Sequence, residues 1–306
     1  MPTYLKHGPT SFIAQVGWLK QAANHLYRIH CVSKQLHYLD ATYGTKHPKT
    51  IMHRILTTLL CLFFLQTALL CQPTEAPVME GTVRYLVTHN WTKKLQALTY
   101  MSKQVKERSA YMWGSRSEWR LYSVLHFTPT QTKYEDSEED PDKNDQGYSW
   151  RKEMFFVSRN LTENTEYDGL EVNGKKYIVS DSIHCQKWKI LNDLKEVAGH
   201  LCMNASWEDT IKQQKVMAWF ALDIPHTGGP ERYCGLPGMI LEININDGAM
   251  VATADRIEAK TLVKELDLPK KVKGKMVSEV EYQDILHKFI SEQTREEQPY
   301  FWFIRY

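Results

Sequence analysis

The sequence lacks an excess of charge of either sign. Its 306 residues hold 38 Lys and Arg against 36 Asp and Glu, which leaves a formal net charge of +2. Domains that bind nucleic acid usually carry a strongly basic surface that matches the phosphate backbone. The composition therefore gives no support to a nucleic-acid partner, and a hydrophobic content of 42% indicates an ordinary globular core instead.

Recognisable catalytic and metal-binding motifs are also absent from the sequence. No Cys-x-x-Cys or His-Glu-x-x-His spacing occurs, and the glycine-rich stretch before residue 239 leads into a strand-like segment. A phosphate-binding loop would need a helix N-terminus at that point, where backbone amides and the helix dipole attract the anion. We therefore predict no catalytic residue and no cofactor.

No apolar run reaches the ~20 residues that a membrane-spanning helix needs. The longest run, ILTTLLCLFFLQTALLC, covers residues 55–71 and follows Met52-His53-Arg54. A short basic region before an apolar run predicts a secretory signal peptide over residues 52–71. A retained signal anchor and a lipid attached to Cys71 are the alternatives. Membrane contact is expected only through this segment.

Residues 1–51 precede the point at which a signal peptide should begin. They carry six basic residues against one acid, Asp40. The simplest interpretation is an N-terminal extension that arises from a start codon assigned too early, with Met52 as the true start. A transit peptide is the alternative, because such segments are basic and poor in acids.

After residue 72, apolar residues alternate with polar ones in the pattern of half-buried strands. In EGTVRYLVTH, one face carries Val83, Tyr85 and Val87. In SEWRLYSVLHF, one face carries Trp119, Leu121, Leu125 and Phe127. Further strands are predicted at residues 153–159, 176–180, 185–191, 198–206, 215–223, 238–246 and 250–258. Because the intervals are short, we predict one mainly β domain over residues 72–306, built as a curved antiparallel meander.

An acidic segment, YEDSEEDPDKNDQG, interrupts this pattern at residues 134–147 and is interpreted as a solvated loop. A calcium loop is the alternative, because Asp140, Asp142 and Asn144 have the alternate spacing of its ligands. However, Asp145 occupies the position that requires glycine, and Arg151 occupies the position of the bidentate glutamate.

The end of the chain is predicted to be helical. Ser278 and Glu281 form a capping-box pattern at the start of the segment. The apolar residues that then recur at helical spacing are Val280, Ile285, Leu286, Phe289 and Ile290. We predict an amphipathic helix over residues 279–295 that packs on the sheet. The aromatic end, PYFWFIRY, is predicted to be an extra strand or a docking tail.

Residues 223–238, DIPHTGGPERYCGLPG, combine glycine and proline at high density. Leu236-Pro237-Gly238 fits a type II turn, which would give Gly238 a positive φ. On the structural interpretation, Gly235, Leu236, Pro237 and Gly238 return the chain to the next strand, with Leu236 packed inward. The following turn, Asn246-Asp247-Gly248, predicts a tight hairpin.

A functional interpretation of the same loop remains open, because glycine lets a ligand approach the backbone closely. The predicted ligand-contacting residues are Trp188, Trp219, Asp223, His226 and Arg232. They would line an aromatic concavity of the sheet, and aromatic surfaces with few polar groups are typical of ligand pockets.

The cysteines after residue 72 are Cys185, Cys202 and Cys234. An oxidising compartment allows one disulfide among them and leaves one thiol free. Cys185 would face Cys202 if residues 185–191 and 198–206 form a hairpin, and Cys202 would meet Cys234 if the loop folds back. The spacing does not decide between these two pairs.

Two sharper chemical hypotheses use the same region. Histidine and cysteine ligands for a metal are available at His184, Cys185, His200, Cys202, His226 and Cys234. Asp223 and Glu242 could form an acid–base pair on the sheet. Neither arrangement has a specific spacing, so satisfied histidines, a disulfide and solvated carboxylates are the simpler interpretation.

An ordered set of motifs between Trp188 and Ile240 resembles the GLPGLI family of exported proteins from Bacteroidota. The matching positions are Trp188, Gly199 to Cys202, Ala218-Trp219-Phe220, Asp223-Ile224-Pro225, Gly229-Pro230 and Gly235-Leu236-Pro237-Gly238-Met239-Ile240. Met239 replaces the usual leucine, and residues 1–51 have no counterpart. The resemblance implies export, and it supplies no catalytic residue.

Together these patterns predict an exported protein of the periplasm or cell surface with a non-enzymatic binding or accessory role. Its expected partner is a small molecule or another envelope protein, and no nucleic acid is expected. A metal-dependent or cysteine-based envelope enzyme is the first alternative. A purely structural surface protein is the second.

Overall fold

The computed structural model describes residues 80–114, 117–141, 153–269 and 271–306, which belong to one compact unit, Pro77–Tyr306. The expected extension at residues 1–51 and the signal peptide at 52–71 lie outside this part of the chain. So does most of the calcium loop that we considered, including Asp142 and Asn144. Within the described ranges, no helix has the length and hydropathy of a membrane span.

The described residues form a mostly β structure, as predicted. The strands are β1 Gly81–Asn90, β2 Glu118–Phe127, β3 Gln131–Asp136, β4 Phe156–Asn160, β5 Thr165–Val172, β6 Lys175–Ser182, β7 Lys189–Val197, β8 His200–Asp209, β9 Gln214–Ala221, β10 Met239–Ile245, β11 Met250–Ala259 and β12 Lys275–Val277. The helices are α1 Trp91–Ala97, α2 Lys103–Trp113 and α3 Glu279–Arg295.

All twelve strands belong to one sheet, in the order β12-β6-β5-β4-β3-β2-β1-β11-β10-β9-β8-β7. Two antiparallel meanders, β1 to β6 and β7 to β11, are joined because β1 pairs with β11. One edge of the sheet departs from the predicted antiparallel meander. There β12 pairs parallel with β6. The chain reaches this edge from β11, which lies beyond β1 in the order of strands.

Several local predictions differ from the structure. Helices α1 and α2 fill the connection between β1 and β2, where we predicted none. The first part of the acidic segment is strand rather than loop, because Tyr134 on β3 is buried against Tyr85. Strand β5 was also missed. The strand expected at residues 185–191 begins only at Lys189, after six residues without regular structure.

The core lies on one face of the sheet. The alternation in β1 predicted it correctly, since Val83, Tyr85 and Val87 are fully buried. In β10, the residues Leu241, Ile243 and Ile245 are fully buried as well. Burial of this apolar surface is the main stabilising contribution to such a sheet.

Helix α3 begins at the predicted capping box, in which the side chains of Ser278 and Glu281 each accept from the other's backbone N–H. Its buried face includes Tyr282 and Leu286, whereas Val280 is 66% exposed and was assigned to that face wrongly. The aromatic end forms a short 3₁₀ helix, Tyr300–Trp302, followed by a bridge between Ile304 and Val172. Residues 299–306 (the C-terminal tail) therefore dock on the sheet.

The Gly-Leu-Pro-Gly turn has a different geometry from the one predicted. Gly235 has the positive φ, at 92°, and Gly238 does not. Gly238 serves close approach instead, since a Cβ there would lie 2.1 Å from the carbonyl oxygen of Ala221. Leu236 is buried as predicted. The Asn246-Asp247-Gly248 turn is confirmed, because all three residues have positive φ between β10 and β11.

Candidate functional site

A cleft of about 450 Å³ is the candidate binding site. Its wall comes from the segment before β7, the turn between β8 and β9, the loop before β10, helix α3 and the C-terminal tail. The lining residues are Phe155, Leu170, His184, Cys185, Gln186, Lys187, Trp207, Asp209, Thr210, Ile211, Lys212, Glu231, Arg232, Tyr233, Glu279, Tyr282, Gln283, Leu286, Arg305 and Tyr306.

Aromatic rings form one wall of the cleft. Trp207 at the end of β8 meets Tyr233 edge-on, with ring centroids 6.3 Å apart. Trp188 packs against both rings, at 6.4 Å and 6.0 Å. The indole N–H of Trp188 donates to the carbonyl oxygen of Cys234 at 2.8 Å, which fixes the position of Trp188. The result is a wall of rigid aromatic surface.

Arg305 from the C-terminal tail joins the cleft to strand β3. Its guanidinium donates two hydrogen bonds to Asp136, at 2.7 and 2.8 Å, and two to Glu231, at 2.5 and 2.7 Å. It also stacks over the ring of Phe155 at 3.5 Å. Burial alone would lower the pKa of Arg305, but Asp136 and Glu231 raise it well above its usual value. Arg305 is therefore a fixed cation with both of its acidic partners in place.

Arg232 connects the cleft wall to β5 and helix α3. Its Nε donates to Asp168 at 2.7 Å, and its Nη2 donates to Glu279 at 2.7 Å. Burial lowers the pKa of Arg232, but Asp168 and Glu279 outweigh burial and raise it. Asp168 also forms an ion pair with Arg159 on β4. Arg232 is one of the ligand-contacting residues predicted from the sequence, and it lines this cleft, whereas its ion-pair partners were not predicted.

Glu166 lies behind this second network with its side chain completely buried. One carboxylate oxygen, Oε1, accepts no hydrogen bond from the described residues, and its neighbours are Arg232 Nη2 at 3.6 Å and His184 Nδ1 at 3.7 Å. Burial raises the pKa of Glu166, and Arg159 opposes that effect.

Lys212 completes the polar lining at the base of the cleft. Its Nζ donates to the carbonyl oxygen of Arg305 at 3.0 Å, so it anchors the C-terminal tail. Burial lowers the pKa of Lys212, while Asp209 and Glu231 raise it. Tyr233 beside it is almost fully buried, and burial raises the pKa of its phenol well above the usual value.

The other ligand-contacting residues predicted from the sequence are dispersed. Trp188 lies behind the aromatic wall rather than in it. Trp207 pairs with Val216, so both point to the same face of the sheet. Trp219 stands three residues after Val216 on β9 and therefore points to the opposite face. There the Nζ of Lys195 lies 4.4 Å above its ring.

His226 and Asp223 also lie apart from the cleft. His226 is buried, and its Nδ1 accepts from the N–H of Gly228 at 3.0 Å. Its Nε2 therefore carries the proton and donates to the carbonyl oxygen of Thr128 at 3.1 Å. Burial lowers the pKa of His226, so it is a neutral structural histidine. Asp223 is exposed and accepts from His200 Nδ1 at 2.7 Å.

Both cysteine pairings considered from the sequence are wrong. The disulfide joins Cys185 to Cys234, with Cα atoms 5.1 Å apart, and Cys202 is a buried free thiol. Strands β7 and β8 do form a hairpin, but the chain reverses at Ala198-Gly199, so Lys195 rather than Cys185 faces Cys202. Burial raises the pKa of Cys202 to about 11. That shift is the opposite of what a nucleophilic thiolate requires.

The metal and acid–base hypotheses receive no geometric support. No group of three or more suitable ligands comes together in the part of the chain that the structure describes. Glu242 accepts from Lys195 at 2.5 Å and from Thr253 at 3.2 Å, whereas Asp223 is paired with His200. The two carboxylates thus have separate partners.

Most of the cleft was not found by sequence reasoning. Trp207, Tyr282 and Arg305 lie in three different elements, and nothing in their local patterns distinguishes them from other strand, helix or tail residues. One usable signal was the triplet Glu231-Arg232-Tyr233, which places an acid, a base and an aromatic in the middle of an irregular loop. All three residues line the cleft.

Comparison with protein-family models shows that the central part of this chain is similar to a family without a described function. The family model described as "Protein of unknown function (Porph_ging)" matches residues 128–242, which include Trp207 and Arg232. This match covers the glycine-proline loop, but the narrower resemblance to the GLPGLI family stays an interpretation of the motifs. No curated protein matches the chain.

Two solved structures, titled as PNGF-II in the C2 and P21 space groups, are similar to part of this chain. Their identities to it are 13% and 14%, and their TM-scores are 0.44 and 0.43. In each case the match covers 68% of this chain and 33% of the other. The chain therefore spans about one third of the length of these proteins.

Proposed function

We propose that this chain is an exported binding protein whose cleft takes an uncharged small molecule with an apolar ring face and several hydroxyl groups. The observation that carries the proposal is the pairing of both cleft arginines with acids of the protein itself. The neutral hydrogen-bonding groups of the lining include the phenols of Tyr233, Tyr282 and Tyr306, the hydroxyl of Thr210 and the amides of Gln186 and Gln283.

Charge pairing within the wall disfavours a charged ligand. Arg305 is saturated by Asp136 and Glu231, and Arg232 by Asp168 and Glu279. A ligand carboxylate or ammonium would have to compete with these intramolecular partners and lose its own hydration. Burying a charge without a free partner costs several kcal/mol. A neutral ligand avoids this cost.

The aromatic wall suits a ring that carries hydroxyl groups. Trp207 and Tyr233 offer apolar faces, and aromatic contacts of this kind contribute about 1 kcal/mol beyond the burial of area. Burial raises the pKa of the Tyr233 and Tyr282 phenols, so both remain protonated and can donate or accept hydrogen bonds. The volume of about 450 Å³ lies within the usual range of ligand pockets, roughly 300 to 1,000 Å³.

A binding role is favoured over the cysteine-based enzyme among the alternatives. Cys185 and Cys234 are joined to each other, and burial holds the Cys202 thiol in its protonated form at neutral pH. Export is supported by the disulfide, since such bonds persist in oxidising compartments such as the periplasm. The basic-then-apolar sequence at residues 52–71 supports the same localisation, in the periplasm or at the cell surface.

A charge-matched ligand series tests the proposal. Phenyl glucoside is neutral, phenyl glucuronide carries a carboxylate and phenyl glucosaminide carries an amine. We expect calorimetry to show binding of the neutral probe at least tenfold tighter than of either charged probe. Tighter binding of a charged probe, or no binding of the neutral probe at millimolar concentration, overturns the proposed ligand class.

Two tryptophan variants locate the binding site in the same experiment. Trp207→Ala should weaken binding of phenyl glucoside at least tenfold, because the ring lines the cleft. Trp219→Ala is the matched control, since this ring lies on the opposite face of the same sheet. Equal effects of the two substitutions would place the site elsewhere.

Mass spectrometry of the exported protein tests the signal peptide, with Gln72 expected as the first residue.

A further inference from the structure

The disulfide lies at the rim of the cleft. Cys185 is exposed and lines the cleft, within the irregular segment of residues 183–188 (the rim segment). Cys234 follows Arg232 and Tyr233 in the loop of residues 222–238 (the signature loop). The crosslink therefore joins two irregular segments that both contribute to the cleft wall, and their cysteines are 49 residues apart in sequence.

The noncovalent contacts between these segments depend on their being held together. Gln186 bridges them, because its side chain donates to the carbonyl oxygen of Arg232 at 3.3 Å and accepts from the N–H of Cys234 at 3.1 Å. Trp188 adds its indole hydrogen bond to Cys234. Neither segment belongs to a strand or a helix, so each of these bonds forms at a cost in conformational entropy of the chain. The crosslink lowers that cost, because it already restricts both segments.

Gly235 shows that the backbone is shaped for this crosslink. A Cβ at this position would lie 2.7 Å from the Cβ of Cys185. Its φ of 92° is also one that glycine adopts without strain. The signature loop thus reaches the disulfide in a conformation that a larger residue would not permit.

We infer that Cys185–Cys234 is a redox switch that holds the cleft in its ligand-binding form. This inference rests on the proposed function of the cleft as a binding site. In the oxidised protein the rim segment and the signature loop are fixed. In the reduced protein both segments gain freedom, and a ligand must order them when it binds, which weakens its affinity.

The switching reaction needs a dithiol reductant, such as the reduced form of an exported thiol–disulfide oxidoreductase. Its thiolate attacks the sulfur of Cys185, which belongs to an exposed residue, and Cys234 leaves as a thiolate that takes up a proton. The second thiol of the reductant then loses its proton, attacks the mixed disulfide and releases Cys185, which is protonated in turn. Two electrons pass to the protein, and the reductant ends as its own disulfide.

Hydrogen exchange followed by mass spectrometry tests the inference without any ligand. The samples are the oxidised protein, the protein reduced with dithiothreitol, and the Cys185→Ser/Cys234→Ser variant. At labelling times short enough for β1 and β10 to stay protected in all three samples, we expect at least tenfold faster exchange in the rim segment and in residues 231–235 of the last two samples. Unchanged exchange in both segments, or an equal increase across the whole sheet, overturns the inference.

Affinity for phenyl glucoside gives the second readout, and reduction should weaken it at least fivefold. The Cys202→Ala variant is the control, since it keeps the disulfide and should respond to dithiothreitol as the unmodified protein does. Unchanged affinity after complete reduction overturns the switch. Faster exchange in both segments with no binding in either redox state overturns the proposed ligand class and supports the inference that the disulfide fixes the rim segment and the signature loop.

Discussion

Arg305 and Asp136 are 169 residues apart in sequence, yet they form a bidentate ion pair with bonds of 2.7 and 2.8 Å. Asp136 ends strand β3, and Arg305 is the penultimate residue of the chain. The pair fixes the C-terminal tail on the sheet, and Arg305 itself lines the cleft.

Replacement of Arg305 should therefore destabilise both the tail and the cleft. Arg305→Ala leaves Glu231 buried without its cation, and we expect the free energy of unfolding to fall by about 3 kcal/mol. Urea denaturation measures this change. Arg256→Ala is the control, because Arg256 pairs with Glu258 at an exposed site and should change stability by less than about 0.5 kcal/mol. Similar losses for the two variants would contradict the assigned role of Arg305.

Three glycine-to-alanine substitutions separate backbone strain from steric contact. Gly174→Ala is the reference, since it has φ of 74° and open space around it, and should cost about 1 kcal/mol. Gly235→Ala adds a clash with Cys185, and Gly238→Ala adds one with the backbone of Ala221. We expect both to lower thermal stability more than the reference does. A loss of thermal stability at either position that is smaller than the loss for Gly174→Ala would show that the neighbouring atoms move aside without strain.

Removal of the disulfide should lower stability by an amount that depends on the length of chain between its two cysteines. A crosslink with a sequence separation of 49 residues restricts the unfolded chain by about 4 kcal/mol in the chain-entropy model. We expect Cys185→Ser/Cys234→Ser to lose up to this amount in urea denaturation. The unmodified protein measured in dithiothreitol should lose the same amount, and a large difference between the two would point to an effect of the serines.

The thiol of Cys202 gives a prediction for alkaline pH. Burial raises its pKa from 9.0 to about 11, so the folded protein retains this proton at pH values where the unfolded chain loses it. The stabilising contribution is fully present below pH 9 and is lost as the pH rises towards about 11. Comparison with Cys202→Ala across this range should show a smaller fall in stability for the variant. An equal fall in stability with pH for the unmodified protein and the variant would contradict the raised pKa of Cys202.

Reactivity provides an independent check of the same thiol. At pH 8 the native protein should resist alkylation by iodoacetamide, because Cys202 is fully buried and protonated. The protein in denaturant should react with one equivalent from Cys202. Rapid native labelling at Cys202 would revive the cysteine-based alternative.

The elements that depend on neighbouring residues were predictable from the sequence. Alternation of apolar residues located β1, β10 and β11, because successive side chains of a strand point to opposite faces. The Ser278–Glu281 capping box fixed the start of α3, and the Asn-Asp-Gly turn fixed the hairpin before β11. Predictions failed where a long-range contact overrides local pattern, as at Tyr134, whose burial against Tyr85 turns an acidic segment into a strand.

The sequence by itself determined a mostly β chain, a terminal helix and the Asn246-Asp247-Gly248 turn, because these follow from backbone sterics and short-range periodicity. Tertiary structure decided which cysteines pair and which tryptophan lines the cleft. The order of strands brings together residues that are far apart in the chain, and alternation defines two faces without telling which of them is covered. Trp207 and Trp219 differ in just this respect, since both lie on regular strands and only the packing of helix α3 and the C-terminal tail makes one of them part of the site.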